Sequence, residues 1–156
     1  MKLSPGNGGR EHVATGDAVV MVIPRSRLSG LDRVLVGLEI LLAVGAIPAG
    51  LMMVIDPSGD MLRAPLSMLD GSPFADFLWP GVILVAANGV LPLAVVWAAL
   101  RRRAWAPLGH VGVGAVLCGW ILVEIAMLGF AWLQAAYLGL GVVITALGVW
   151  RWRGGR

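Results

Sequence analysis

Residues 79–100 read WPGVILVAANGVLPLAVVWAAL, and Arg101-Arg102-Arg103 follows at once. At 1.5 Å rise per residue, an apolar helix of about 20 residues crosses a hydrocarbon core of about 30 Å. Lipid offers no partner to a bare backbone N–H or C=O, so such a stretch must be helical. Three more stretches of the same length and character flank it, at 34–55, 107–128 and 131–150. A membrane strand would need about 10 residues of alternating polarity, and no such segment occurs. Composition agrees. Of the 156 residues, 58% are hydrophobic and 13% charged, whereas a soluble domain carries about 25% charged residues. The surplus apolar surface has to face lipid. This excludes a soluble enzyme, a secreted disulfide scaffold and a disordered tail. One cysteine, Cys118, cannot form an internal disulfide, and with only two histidines it cannot complete a structural zinc site. No cofactor and no metal is expected.

The links at 101–106 and 129–130 are short enough to force antiparallel neighbours. The expected fold is thus an all-α integral membrane protein: an antiparallel four-helix transmembrane bundle at 31–156, with a short extracytoplasmic helical lid at 56–78 between the first two helices. Residues 1–30 are polar, Gly-rich and broken by Pro5 and Pro24. The apolar run 18–23 is too short to span, and a signal peptide would start its apolar region sooner. These residues are expected to form a largely disordered cytoplasmic tail.

Arginine placement orients the bundle. Every basic residue except Arg63 falls before the first apolar stretch, after the second or after the fourth. By the positive-inside rule both termini are expected on the cytoplasmic side, with the cell (inner) membrane as the expected location. Arg63 lies on the other side with Asp56, Asp60, Asp70 and Asp76. Tryptophans mark both boundaries, Trp79 and Trp132 outside and Trp97, Trp105, Trp150 and Trp152 inside, leaving Trp120 at depth. The basic clusters are read as topology signals and anionic-lipid contacts, and no nucleic acid is expected as partner because no recognition fold accompanies them.

The loop at 56–78 reads DPSGDMLRAPLSMLDGSPFADFL. Asp56-Pro57-Ser58-Gly59 has turn chemistry. Pro65 can open a short helix with Leu66, Met68 and Leu69. Ser72-Pro73 reads as the cap and first position of a second one, with Phe74, Phe77 and Leu78 on one face and Asp76 turned away. Asp56-x-Ser58-x-Asp60 alternates oxygen donors as calcium loops do, but the glycine and distal glutamate of such loops are missing, which favours a turn with solvated carboxylates.

The run Asp56-Pro57-Ser58-Gly59, then Ser72-Pro73-Phe74-Ala75-Asp76-Phe77, Pro80-Gly81 and Asn88-Gly89, resembles the loop of an uncharacterised family of small bacterial four-helix membrane proteins. The likeness continues through residues 120–124 and 132–134, covering about 37–149. It implies the topology above and no particular chemistry.

Ionisable groups inside the membrane are costly, and each is a functional candidate. Glu39 lies roughly 8 Å from the inner edge and His110 roughly 5 Å, so the two can pair. Glu124 lies roughly 6 Å below the outer edge, with Gln134 at matching depth and Arg63 able to reach down from the loop. Asn88 stands between the two clusters. For Glu39 the favoured expectation is structural, a shallow carboxylate near Arg33. Glu124 with Gln134, Trp120 and Trp132 under a lid has the makings of a small pocket. Pro92 withdraws a backbone bond from residue 88 and should kink or loosen the second helix there. Gly45/Ala49, Ala46/Gly50 and Ala135/Gly139 are small-residue pairs that permit close helix approach, within the bundle or in a homo-oligomer. Cys118 at mid-membrane is expected to be inert packing.

No catalytic residue is assigned. The leading expectation is a non-enzymatic accessory subunit, scaffold or small-ligand binder, with the lipid bilayer and a larger membrane complex or a homo-oligomer as partners. The alternative is a small proton-coupled transporter using Glu39 and Glu124, although the arginine bias opposes the dual topology that some four-helix exporters need. A membrane enzyme ranks last, since no nucleophile has a positioned base.

Overall fold

The computed structural model describes residues 28–155. The tail expected at 1–30 lies almost wholly outside the described residues. What is described is all-helical, without a strand, and contains four helices long and apolar enough to cross a membrane. We call them α1 (Gly30–Ile55), α2 (Leu78–Leu100), α3 (Ala106–Leu128) and α4 (Trp132–Gly154).

Helix α1 starts four residues ahead of its apolar run because a polar cap extends it. Ser29 Oγ accepts the Asp32 N–H at 3.1 Å, and the Asp32 carboxylate accepts the Ser29 N–H at 3.2 Å. This reciprocal box satisfies two amides that have no partner within the helix. The other Asp32 oxygen accepts Arg151 Nε–H at 2.7 Å, tying the start of α1 to the end of α4. That bond falls in the stretch by which α4 continues past 150 to Gly154.

Helix α2 is continuous but not uniform. Residues Val85–Val90 wind as a π-helix, with the Leu91 N–H reaching back five residues to the Ala86 carbonyl. The cause lies just downstream. Pro92 has no N–H to give the carbonyl of Asn88, and its ring crowds that position, so the turn before it widens. Pro48 is accommodated inside α1 without such a change of helix type.

The helices close a ring in which α1 packs on α2, α2 on α3, α3 on α4 and α4 on α1. Two of these contacts are backbone against backbone. A Cβ on Gly50 would stand 2.8 Å from the Gly81 carbonyl oxygen, and one on Gly81 would stand 2.7 Å from that of Gly50. Likewise a Cβ on Gly114 would meet the Gly141 oxygen at 2.6 Å. So the Ala46/Gly50 pair serves contact within the chain, whereas Gly139 faces open space. Leu35, Leu42, Val95, Val113, Leu117, Ile121 and Ile144 form the core. Outward faces are apolar as well, with Leu41, Val44, Leu122, Leu133 and Val142 all exposed.

The loop between α1 and α2 folds back on itself. Gly59, at φ +83°, donates its N–H to the Asp56 carbonyl, confirming the expected turn. The Asp56 carboxylate accepts the Ser58 hydroxyl and the Met61 N–H. Those bonds, the Ser58 one first, hold its pKa below the ordinary 3.8. They also engage the oxygens a cation would need. A 3-10 turn at Leu66–Leu69 follows Pro65 as expected and rests on α3.

The helix expected from Ser72-Pro73 does not form. Ser72 Oγ accepts the Phe74 N–H at 3.2 Å, a local turn that competes with helix. The Phe77 N–H goes to the Pro57 carbonyl at 3.0 Å, closing the loop, and its buried ring lies against Gly59. Asp76, rather than turning away, accepts the Leu78 N–H at 3.0 Å at the start of α2.

Candidate functional site

Two polar centres lie within the bundle. The first is a cavity of about 220 Å³ to which α1, α2, α3 and α4 all contribute. Its polar lining is Asn88 from the π turn of α2, Trp120 and Glu124 from α3, and Gln134 and Tyr137 from α4. Four of the residues expected to matter are therefore brought together, and Asn88 belongs with Glu124 rather than midway between two clusters. Asn88 is 1% exposed. Neither Oδ1 nor Nδ2 has a hydrogen-bond partner, and Trp120 Nε1 is also buried without one. An unpaired buried amide costs about 1–3 kcal/mol, so this arrangement opposes stability. The half-buried Glu124 carboxyl stands one turn from Trp120 and interacts with its indole, yet no well-formed hydrogen bond joins them. Gln134 is partly spoken for, because its Oε1 accepts the Ala131 N–H at 2.8 Å and so caps α4.

Tyr137 was not anticipated. It lies three residues after Gln134, the spacing that puts both on one face of a helix, and that periodicity was the available signal. Trp132, expected near this pocket, is 78% exposed and does not line it. Arg63 does not reach Glu124, and no ion pair connects the two among the described residues. The reason is local. Arg63 has a left-handed backbone (φ 55°) in a turn where its N–H bonds to the Asp60 carbonyl, and its side chain is exposed.

The second centre is Glu39 with His110. His110 Nδ1 and Glu39 Oε1 share a hydrogen bond of 2.8 Å, with the side chains 1% and 0% exposed. The pairing expected from depth is present and ties α1 to α3; Glu39 is sealed within the bundle, while Arg33, expected as its neighbour, is exposed. Glu39 Oε2 has no partner. His110 forms part of the wall of a larger cavity, about 620 Å³, with Asp32, Arg102, Arg103, Arg151 and Trp152. Arg101 and Arg103 both lie over the Trp97 ring, 5.5 and 5.7 Å from its centroid, which fixes part of this basic rim. Along α3 the path from His110 to Trp120 passes Val113 and Leu117, both buried, so an apolar layer separates the two centres.

Cys118 is half-buried, its Sγ 3.9 Å from the Leu138 carbonyl oxygen, a weak contact at most. Among the described residues no three of His, Cys, Asp and Glu converge as metal ligands do. Comparison with family models, curated proteins and solved structures finds no match.

Proposed function

We propose that this chain is a non-enzymatic multi-pass membrane protein that holds a small ligand in the Asn88–Glu124 cavity, as an accessory or scaffold component of a membrane assembly. The observation that carries the reading is Asn88, whose carboxamide is buried, unpaired at both ends and open to a cavity. Buried polar groups are almost always satisfied, so one that is not points to a missing partner. Membrane insertion is supported by the inverted polarity of the bundle: Glu39, His110, Asn88 and Gln134 are buried while large apolar side chains cover the outside. Antiparallel spans, cytoplasmic termini in the inner membrane and a lid made by the 56–78 loop complete the proposal. Arginine placement supports the orientation. The likeness of the loop to that of small bacterial four-helix membrane proteins supports the same architecture.

Two measurements test this. In a Cys118→Ser background, Ser58→Cys should react with an impermeant maleimide on whole cells and Arg153→Cys only after lysis. The opposite pattern would invert the topology. Native mass spectrometry of the protein extracted in mild detergent should then show a small adduct that Asn88→Leu removes. An adduct-free wild type of full integrity would end the binding proposal.

A second reading, proton-coupled transport, is favoured by one observation: the buried Glu39–His110 pair borders the large basic cavity. In proteoliposomes, flux driven by a proton gradient should vanish with Glu39→Gln or Glu124→Gln. Unchanged flux in both would remove this reading.

A further inference from the structure

Resting on the reading of the Asn88–Glu124 cavity as a ligand site, we infer that its ligand is a small organic ammonium that also carries an oxygen acceptor. The unmet hydrogen-bonding capacity of the walls defines the complement. Asn88 Nδ2 and Trp120 Nε1 are donors without acceptors, so the ligand must present an acceptor. Asn88 Oδ1 lacks a donor, so the ligand must also present N–H or O–H groups, and Glu124, which interacts with the Trp120 indole, lines the same space.

Charge decides between those two. Glu124 is the one ionisable acid in the wall, and no Arg, Lys or His stands with it there. A half-buried carboxylate in a mostly apolar wall is stabilised by an opposite charge close by. A ligand anion would meet the reverse, repulsion without a countercharge. The rest of the lining agrees with a cation on an apolar body. Trp120 and Tyr137 offer aromatic faces of the kind that attract ammonium groups, and Leu42, Ile121 and Leu133 supply hydrocarbon surface. Size agrees as well. About 220 Å³ gives room for the ring and ammonium of a single-ring amine.

The test uses two probes of equal bulk, 2-phenoxyethylamine, cationic at pH 7, and its uncharged analogue 2-phenoxyethanol. Binding to the full chain in mild detergent is followed by titration calorimetry, with integrity checked by circular dichroism and gel filtration. The amine should bind saturably and at least about tenfold more tightly than the alcohol, since its hydrogen bonds to the carboxylate are charge-assisted. Glu124→Gln, which keeps the shape, should abolish that preference and leave the alcohol unaffected. Gly112→Ala, outside the cavity and with open space beside it, should leave both probes unaffected. Equal binding of the two probes, or an amine preference that survives Glu124→Gln, overturns the cation assignment and leaves the cavity reading standing. Absence of saturable binding by either probe to intact protein overturns both.

Discussion

Replacing Asn88 with leucine should make the empty protein more stable. The two side chains have similar bulk, and the position is 1% exposed among core residues. In the native chain both ends of the carboxamide are desolvated without a protein partner. Leaving such a group unpaired costs about 1–3 kcal/mol, and an apolar group of the same shape escapes that penalty. Leucine also adds buried hydrocarbon worth about 0.8 kcal/mol per methylene equivalent. Against this stands the wider turn at Val85–Val90, which has to accept a branched side chain. The expected net gain is therefore about 1–3 kcal/mol. Reversible unfolding of the detergent-solubilised protein, followed by helical ellipticity against denaturant, would measure it. Saturating ligand should stabilise wild type and not the variant, so the order of the two would reverse. If Asn88→Leu lost more than about 1 kcal/mol without ligand, the carboxamide must already have partners, and the argument from its unmet bonds would fail.

Three further outcomes follow from geometry described above. His110→Leu should destabilise by about 3–5 kcal/mol because it leaves the sealed Glu39 carboxyl alone, whereas adding Glu39→Leu should recover much of the loss. Equal or additive losses in that unfolding cycle would mean the two groups do not act as a pair. Gly114→Val should separate α3 from α4, since its Cβ would sit 2.3 Å from Thr145 Oγ1 and 2.6 Å from the Gly141 oxygen. A loss of about 3 kcal/mol or more is expected, and Gly112→Ala, with open space beside it, should cost little, both read from unfolding midpoints. Finally, Asp56 should make the 56–78 loop acid-sensitive. Its pKa is depressed in the folded chain, so its contribution is complete above the ordinary 3.8 and is lost as pH falls below that value through the lowered one. Proteolysis of the loop by an acid-active protease should accelerate in that window, and Asp56→Ala should be cut quickly on both sides of it.

How much of this was legible beforehand depends on which force wins at each place. The four long helices were plain because lipid-length apolar runs leave the backbone no alternative. Their ends were less so. The first helix begins at a Ser29/Asp32 capping box that hydropathy overlooks, although the Ser-x-x-Asp spacing was visible. Pro92 pointed correctly to a disturbed turn at Asn88, but not to its π form nor to the cavity it faces. Ser72-Pro73 misled. The pattern is a good helix start, and two bonds stand against it, the local Ser72–Phe74 turn and a tertiary bond from Phe77 to Pro57 that no local rule contains. The Glu39–His110 pair followed from depth arithmetic alone. Its complete burial did not, because burial depends on which neighbours close around it. For Arg63 the arithmetic of reach was sound, and the left-handed turn beneath the side chain decided otherwise.

The bond between Asp32 and Arg151 spans 119 residues of sequence, and it sets an order of assembly. During synthesis α1 and α2 can lock at Gly50 and Gly81 as soon as both exist, and α3 with α4 at Gly114 and Gly141. Glu39 meanwhile lies on a half that does not yet contain His110, and Asn88 faces a cavity with half its wall missing. The bond between Asp32 and Arg151, at the seam of α1 and α4, waits until the last turn of α4 has been made. A chain that stops before residue 151 would therefore lack the tie between the last turn of α4 and the first turn of α1, a form a quality-control protease could tell from the completed chain.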